Sequence, residues 1–125
     1  MTENEIGYKV RGACFNVYNV LGPGLLESAY ERALLVELQE SGLQVKAQVP
    51  VTMSYKGRDL GDVYRIDILV ENKVIVEIKS VEKLENVHYM QLHTYLSLTG
   101  LKLGYLVNFN TDDMKNSIVR YANKL

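Results

Sequence analysis

Residues Arg65 to Lys79, "RIDILVENKVIVEIK", hold two apolar runs separated by Glu71-Asn72. Valine and isoleucine favour a pleated, half-buried surface, and the polar break marks a tight turn, so the stretch reads as a β-hairpin over 63–70 and 73–80. With a three-residue loop at Glu71-Asn72-Lys73, Val70 faces Val74 and Asp67 faces Glu77. Alternation then puts Asp67, Leu69, Ile75, Glu77 and Lys79 on one face. Ile68, Val70, Val74, Val76 and Ile78 take the other, which is apolar throughout and reads as core. A loop one residue shorter would shift this register and separate the two acids. Directly opposed Cβ atoms lie roughly 5 Å apart, and like charges so placed destabilise a sheet. The two carboxylates therefore want positive charge between them. Lys79 supplies one cation, and a divalent ion with oxygen ligands would supply more. The plain alternative is a polar, solvated sheet face, which antiparallel hairpins often present.

Outward from the hairpin, the pattern changes period. Upstream, "LQVKAQVPVTMSY" (43–55) alternates as a strand, and Pro50 suggests an edge position or a bulge. Before it, Ile6, Val10, Ala13, Val17 and Leu21 recur at helical spacing, giving a first helix over 3–20 that Gly22-Pro23-Gly24 stops. A second helix is predicted over 25–41, with Gly42 as its C-terminal punctuation. Downstream, a third helix runs from about 83 to 99, and "LGYLVNF" (103–109) is a further strand. Ser117 to Tyr121 fits either an edge strand or a short helix. This order of elements describes a mixed α/β sandwich around one central sheet, in a single domain over 1–125.

Two helices carry polar groups on apolar stripes. At about 100° per residue, Glu27 lines up with Tyr30, Leu34 and Leu38. An acid in a first helical turn is also favoured by the helix dipole without any further role. Glu31 lies close to the same stripe. On the third helix, Gln91 falls among Leu84, Val87, Tyr95 and Leu98, with His88 one turn earlier, and a buried glutamine needs partners for both ends of its amide. His93 points elsewhere and reads as solvated.

Bulk properties set outer limits. With 47% apolar and 23% charged residues, the chain has an ordinary globular balance. Cys14 is the only cysteine, which excludes an intrachain disulfide and a thiolate metal cage. No apolar run approaches a membrane span and no signal peptide of the usual form opens the chain, so a cytoplasmic location without membrane partners is the default expectation. Fourteen Lys and Arg against fifteen Asp and Glu give a net charge of −1. That is little positive charge for gripping a long duplex by its phosphates. A nucleic-acid function would rest on a local site, on a homodimer or on a protein partner.

The residues then come together as a family pattern. Asp67, nine intervening residues and Glu77-Ile78-Lys79 resemble the D…(D/E)xK signature of the PD-(D/E)XK nuclease superfamily, with Ile66 where the signature's proline would stand. Gln91 to Tyr95, "QLHTY", resembles the QxxxY motif of its RecB-like and Cas4-like branch. Gly24 to Tyr30, "GLLESAY", resembles the GxxExxY motif, carried here by Gly24, Glu27 and Tyr30, that names a family of small prokaryotic proteins. The resemblance implies a restriction-endonuclease-like αβββαβ core, with a central mixed sheet flanked by helices and an extra N-terminal helix.

It also implies metal-dependent hydrolysis of phosphodiester bonds with Mg²⁺ or Mn²⁺; DNA is the first expectation for the substrate, with RNA left open. Asp67, Glu77 and the Ile78 carbonyl would be metal ligands, and Glu27 would contribute directly or through water. Lys79 would orient or deprotonate the attacking water, while Gln91 and Tyr95 would position the substrate or the metal-bound shell. Hard oxygen ligands favour magnesium or manganese over zinc. The alternative is a non-catalytic nucleic-acid- or protein-binding module on the same fold. Lys46, Lys56, Arg58 and Lys73 are candidate phosphate contacts by charge alone.

Overall fold

Thr2 and Glu5 start the first helix by satisfying each other's backbone: the Thr2 Oγ1 accepts the Glu5 N–H at 3.2 Å and the Glu5 carboxylate accepts the Thr2 N–H at 3.0 Å. In the computed structural model, which describes residues 1–125, this helix α1 spans Glu3–Leu21. It is followed by α2 (Glu27–Glu40), β1 (Val45–Tyr55), β2 (Arg58–Val70), β3 (Val74–Lys79), α3 (Asn86–Thr99), β4 (Leu103–Asn108), a 3-10 turn at Met114–Asn116 and β5 (Ile118–Ala122). The segment left open by sequence is thus an edge strand, and it extends the expected αβββαβ order to a five-stranded sheet. No helix is long and apolar enough to cross a membrane.

The strands lie in the order β1-β2-β3-β4-β5. Only β3 and β4 are parallel, and α3 makes the crossover between them. The decisive hairpin has the predicted register: Val70 opposite Val74, Leu69 opposite Ile75, Ile68 opposite Val76. Its loop closes through Glu71 (φ 53°) and Asn72 (φ 54°), and the Lys73 N–H donates to the Val70 carbonyl at 3.0 Å. Pro50 sits on the edge strand β1, next to a register shift between Val51 and Thr52.

Two cores cover the sheet. Ile6, Val10, Cys14 and Val17 of α1 and Tyr30, Leu34 and Leu38 of α2 pack on Ile68, Val70, Val74, Val76 and Ile78. Across the sheet, Leu92, Tyr95 and Leu96 of α3 pack on Ile75, Leu106, Ile66 and Val51. Each such aliphatic side chain contributes about 1.5–3 kcal/mol by leaving water. Close approach needs glycine at two places: a Cβ on Gly104 would meet Leu92 Cδ1 at 2.7 Å, and one on Gly7 would meet the Tyr105 hydroxyl.

Three expectations change. First, β2 begins at Arg58, not 63, because Lys56 (φ 50°) and Gly57 (φ 75°) form a two-residue hairpin turn that pairs Tyr55 with Arg58. The polar run that follows hid this strand. Second, α3 starts at Asn86 and buries Leu92 and Leu96, whereas Val87 is 65% and Leu98 39% exposed. Apolar residues surround α3 on all sides, so periodicity alone could not choose its inner face. Third, alternation is broken at Asp67. Ile68 packs under α1 and α2, but Ile66 packs under α3. Opposite Asp67, Gln48 takes a left-handed conformation (φ 53°) while the β1–β2 register holds on both sides of it, so the ribbon twists sharply there.

Candidate active site

Beyond Ile68 and Val76 the backbone pairing of β2 with β3 ends, and side chains take over. Glu77 Oε2 accepts the Asp67 N–H at 2.8 Å, and Asp67 Oδ2 accepts the Ile78 N–H at 2.8 Å. Glu77 is 2% exposed and Asp67 is half-buried. Burial first, and then the Asp67 charge, push the Glu77 carboxyl up to about 8. Burial also raises Asp67, helped by Glu31 and Glu27. The Lys79 charge opposes both shifts.

Asp67 opens onto a small cavity of about 160 Å³ that Glu27, Ser28, Glu31, Gln48 and Ile78 also line, while Glu77 lies buried outside that lining. Glu27 reaches it because the preceding turn is pinned. Gly24 adopts φ 95°, a conformation side chains disfavour. The Tyr30 hydroxyl donates to the Gly22 carbonyl and accepts the Leu25 N–H at 3.1 Å, while its ring stacks on Phe109 at 4.5 Å. Ser80 Oγ donates to the Leu25 carbonyl at 2.6 Å, tying the end of β3 to the same turn. The motif glycine and tyrosine thus shape the loop that aims the motif glutamate.

From the other side, α3 brings Tyr95 and Gln91. Gln91 Nε2 donates to the Tyr95 hydroxyl at 3.0 Å. Gln91 is half-buried at the flank of the helix's inner face, not in the middle of a buried stripe as its spacing suggested. Burial, and then the Glu77 and Asp67 charges, push the Tyr95 phenol up to about 12. Tyr64 of β2 meets the Tyr95 ring edge-on at 5.5 Å.

Other sequence candidates lie elsewhere. His88 Nδ1 accepts the Glu85 N–H at 2.9 Å and so caps the start of α3. His93 is exposed and its Nδ1 lies 2.7 Å from the Tyr121 hydroxyl. Lys73 donates to the Met1 carbonyl at 2.7 Å from the hairpin loop at the opposite end of β3, so it is removed from any phosphate at the acids. Lys46 pairs with Leu69 on that far side too.

Sequence reading passed over Glu31 and Gln48 as site residues. Gln48 Nε2 donates to Glu31 Oε1 at 2.6 Å, closing one wall of the cavity. Glu31 was legible as the residue one helical turn after Glu27; Gln48 gave no signal, because its left-handed backbone has no signature in that strand. Asn108 was also missed. It is 5% exposed, its Oδ1 accepts the Val81 N–H at 3.1 Å and its Nδ2 donates to the Val81 carbonyl at 3.0 Å. It fastens the chain just after Lys79.

Every donor gathered here for a cation is a hard oxygen, which suits Mg²⁺ or Mn²⁺. As they stand, no three Asp, Glu, His or Cys side chains are arranged to hold a metal ion. Asp67 and Glu77 each commit one oxygen to a strand N–H, which leaves the second oxygen of each for a ligand.

A five-stranded mixed sheet between helices, with an acid pair and a lysine at the end of the strand that exchanges an antiparallel neighbour for a parallel one, is a restriction-endonuclease-like fold. The chain belongs to the PD-(D/E)XK nuclease superfamily, whose family model matches residues 4–121. No curated protein and no solved structure matches it.

Proposed function

We propose that this protein hydrolyses phosphodiester bonds in nucleic acid, DNA in the first instance, with Mg²⁺ or Mn²⁺ held by Asp67, Glu77, Glu27 and the Ile78 carbonyl. The observation that carries this reading is Glu77, an acid almost fully buried beside a second acid. Such an arrangement costs stability unless a cation or a proton neutralises it. The chemistry a bound ion supplies is polarisation of a phosphoryl oxygen and activation of water.

The chain's own residues do the rest. Asp67 and Glu77 fix the position of the charge centre, because strand N–H groups hold one oxygen of each. Lys79 orients or deprotonates the attacking water and offsets negative charge building at phosphorus. Glu27 and Glu31 close the cavity from α2. Gln91 and Tyr95, joined by their hydrogen bond, position the substrate on the α3 side.

One observation favours a non-catalytic binding module instead: the acids do not already form a three-ligand cage. Cleavage assays decide between the two. Purified protein is incubated with single-stranded DNA, duplex DNA and RNA in Mn²⁺, Mg²⁺ or EDTA. The expected result is cleavage that EDTA abolishes and that Glu77→Gln and Lys79→Ala reduce at least about a hundredfold, in line with loss of electrostatic stabilisation. Failure of the wild-type protein to cut any substrate with either metal would leave the binding module as the reading.

A further inference from the structure

The β1–β2 hairpin outruns the sheet. β2 pairs with β3 only at Ile68–Val70, so residues 52–63 form a two-stranded arm with no third strand beside it. It leaves the sheet at the Asp67 end, and nine residues separate Asp67 from the tip, a reach of at most roughly 30 Å. Two-stranded ribbons are marginal by themselves. This one is nonetheless apolar on its surface: Tyr55 is 59%, Leu60 51% and Val63 46% exposed. At its tip, Lys56 Nζ lies 5.5 Å from the centroid of the Tyr55 ring, and Arg58 pairs across from Tyr55. Asp59 is exposed and accepts the Gly61 N–H at 2.7 Å, and Asp62 is exposed further down the arm, so the two cations cluster with Tyr55 at the tip and the acids follow toward the base. At the base, Tyr64 touches Tyr95 of the acid site.

We infer that this arm is a binding site for single-stranded nucleic acid that leads the strand to Asp67 and Glu77. Tyr55 stacks on an unpaired base while Lys56 and Arg58 meet phosphates. An exposed ring beside two cations matches a strand whose bases are free to stack. A duplex hides its base faces and needs many phosphate contacts, which a chain of net charge −1 does not offer. This inference deepens the hydrolase reading by naming its substrate class, and it is tested by binding so that the two can fail separately.

The experiment is fluorescence anisotropy in EDTA, using a labelled single-stranded oligonucleotide and the same sequence as a blunt duplex, with wild-type, Tyr55→Ala and Lys56→Ala/Arg58→Ala proteins whose thermal midpoints match. The single strand is expected to bind at least about tenfold tighter than the duplex, and Tyr55→Ala to lose about tenfold on the single strand only. The double variant, losing two phosphate contacts, is expected to lower the slope of log K against log salt by about 1.4. Duplex binding as tight as single-strand binding, or arm variants that bind like wild type, would overturn the inference. So would a wild-type protein that binds neither, which would make the arm a protein-docking surface. Single-strand binding through the arm without cleavage in Mn²⁺ would sink the hydrolase reading and leave the arm standing.

Discussion

Asp67 and Glu77 face each other across the hairpin, yet their carboxylates do not bond to one another: Glu77 takes the Asp67 N–H and Asp67 takes the Ile78 N–H, each at 2.8 Å. The side chains stand where ladder carbonyls would be, so they hold β2 and β3 together while wedging them apart. Asp67, at the end of that pairing, lines the small cavity that the α2 acids Glu27 and Glu31 also line. The sheet pairing thus stops where Asp67 reaches the cavity, with Glu77 buried beside it.

The acid pair should make the fold sensitive to base. Between about pH 4.5 and 8 the folded chain keeps the Glu77 proton that the unfolded chain has released. Stability therefore falls as pH rises through that window, and Glu77's contribution is gone above it. Glu77→Gln should remove this dependence and stabilise the protein above about pH 8, on the order of a few kcal/mol, with little change below about 4.5. Urea melts across pH will measure it; a variant no more stable than wild type at high pH would contradict the burial argument.

Cation binding should release protons for the same reason. At neutral pH Glu77 is largely protonated, and a ligand metal must displace that proton. Titration calorimetry with Mn²⁺ in buffers of different ionisation enthalpy should report up to about one proton released per ion. EDTA should reverse both the binding and the accompanying rise in melting temperature.

Tyr30→Phe keeps the stacking on Phe109 but loses the hydroxyl that holds the Gly22 carbonyl and the Leu25 N–H. A cost of about 1–3 kcal/mol is expected for leaving those groups without their partner. Cleavage and Mn²⁺ affinity should fall as well, because the freed turn no longer fixes Glu27. Unchanged metal affinity in this variant would separate the motif tyrosine from the acid site.

Glu31→Gln keeps the shape of the cavity wall and removes one negative charge beside Asp67. Mn²⁺ affinity should fall several-fold while stability rises slightly, since charge repulsion at Asp67 is relieved. Calorimetry and thermal melts on one sample will report both changes.

Gly104→Val tests the packing that seats α3. Any Cβ at this position meets Leu92 at 2.7 Å, so overpacking should cost about 1–3 kcal/mol. Tyr95 and Gln91 ride on the same helix, so activity should drop further than the loss of folded protein explains. Chemical denaturation and turnover corrected for folded fraction will separate the two.

The sequence alone determined the elements whose physics is local. Alternating valines and isoleucines defined the hairpin, and apolar spacing identified the inner face of α2 through Tyr30, Leu34 and Leu38. The pairing of Asp67 with Glu77 followed only on the premise of a three-residue loop, and the structure has that register. Three things needed the tertiary structure. The inner face of α3 depended on how Leu92 meets Gly104, because the helix is apolar all round. Gln48 joined the site through a left-handed backbone opposite Asp67 that no local pattern signals. The arm beyond residue 63 appeared only once Lys56 and Gly57 were seen to turn the chain back on itself. Short-range periodicity reports which side of an element is apolar; which element covers that side, and where pairing stops, is decided by contacts between residues far apart in the chain.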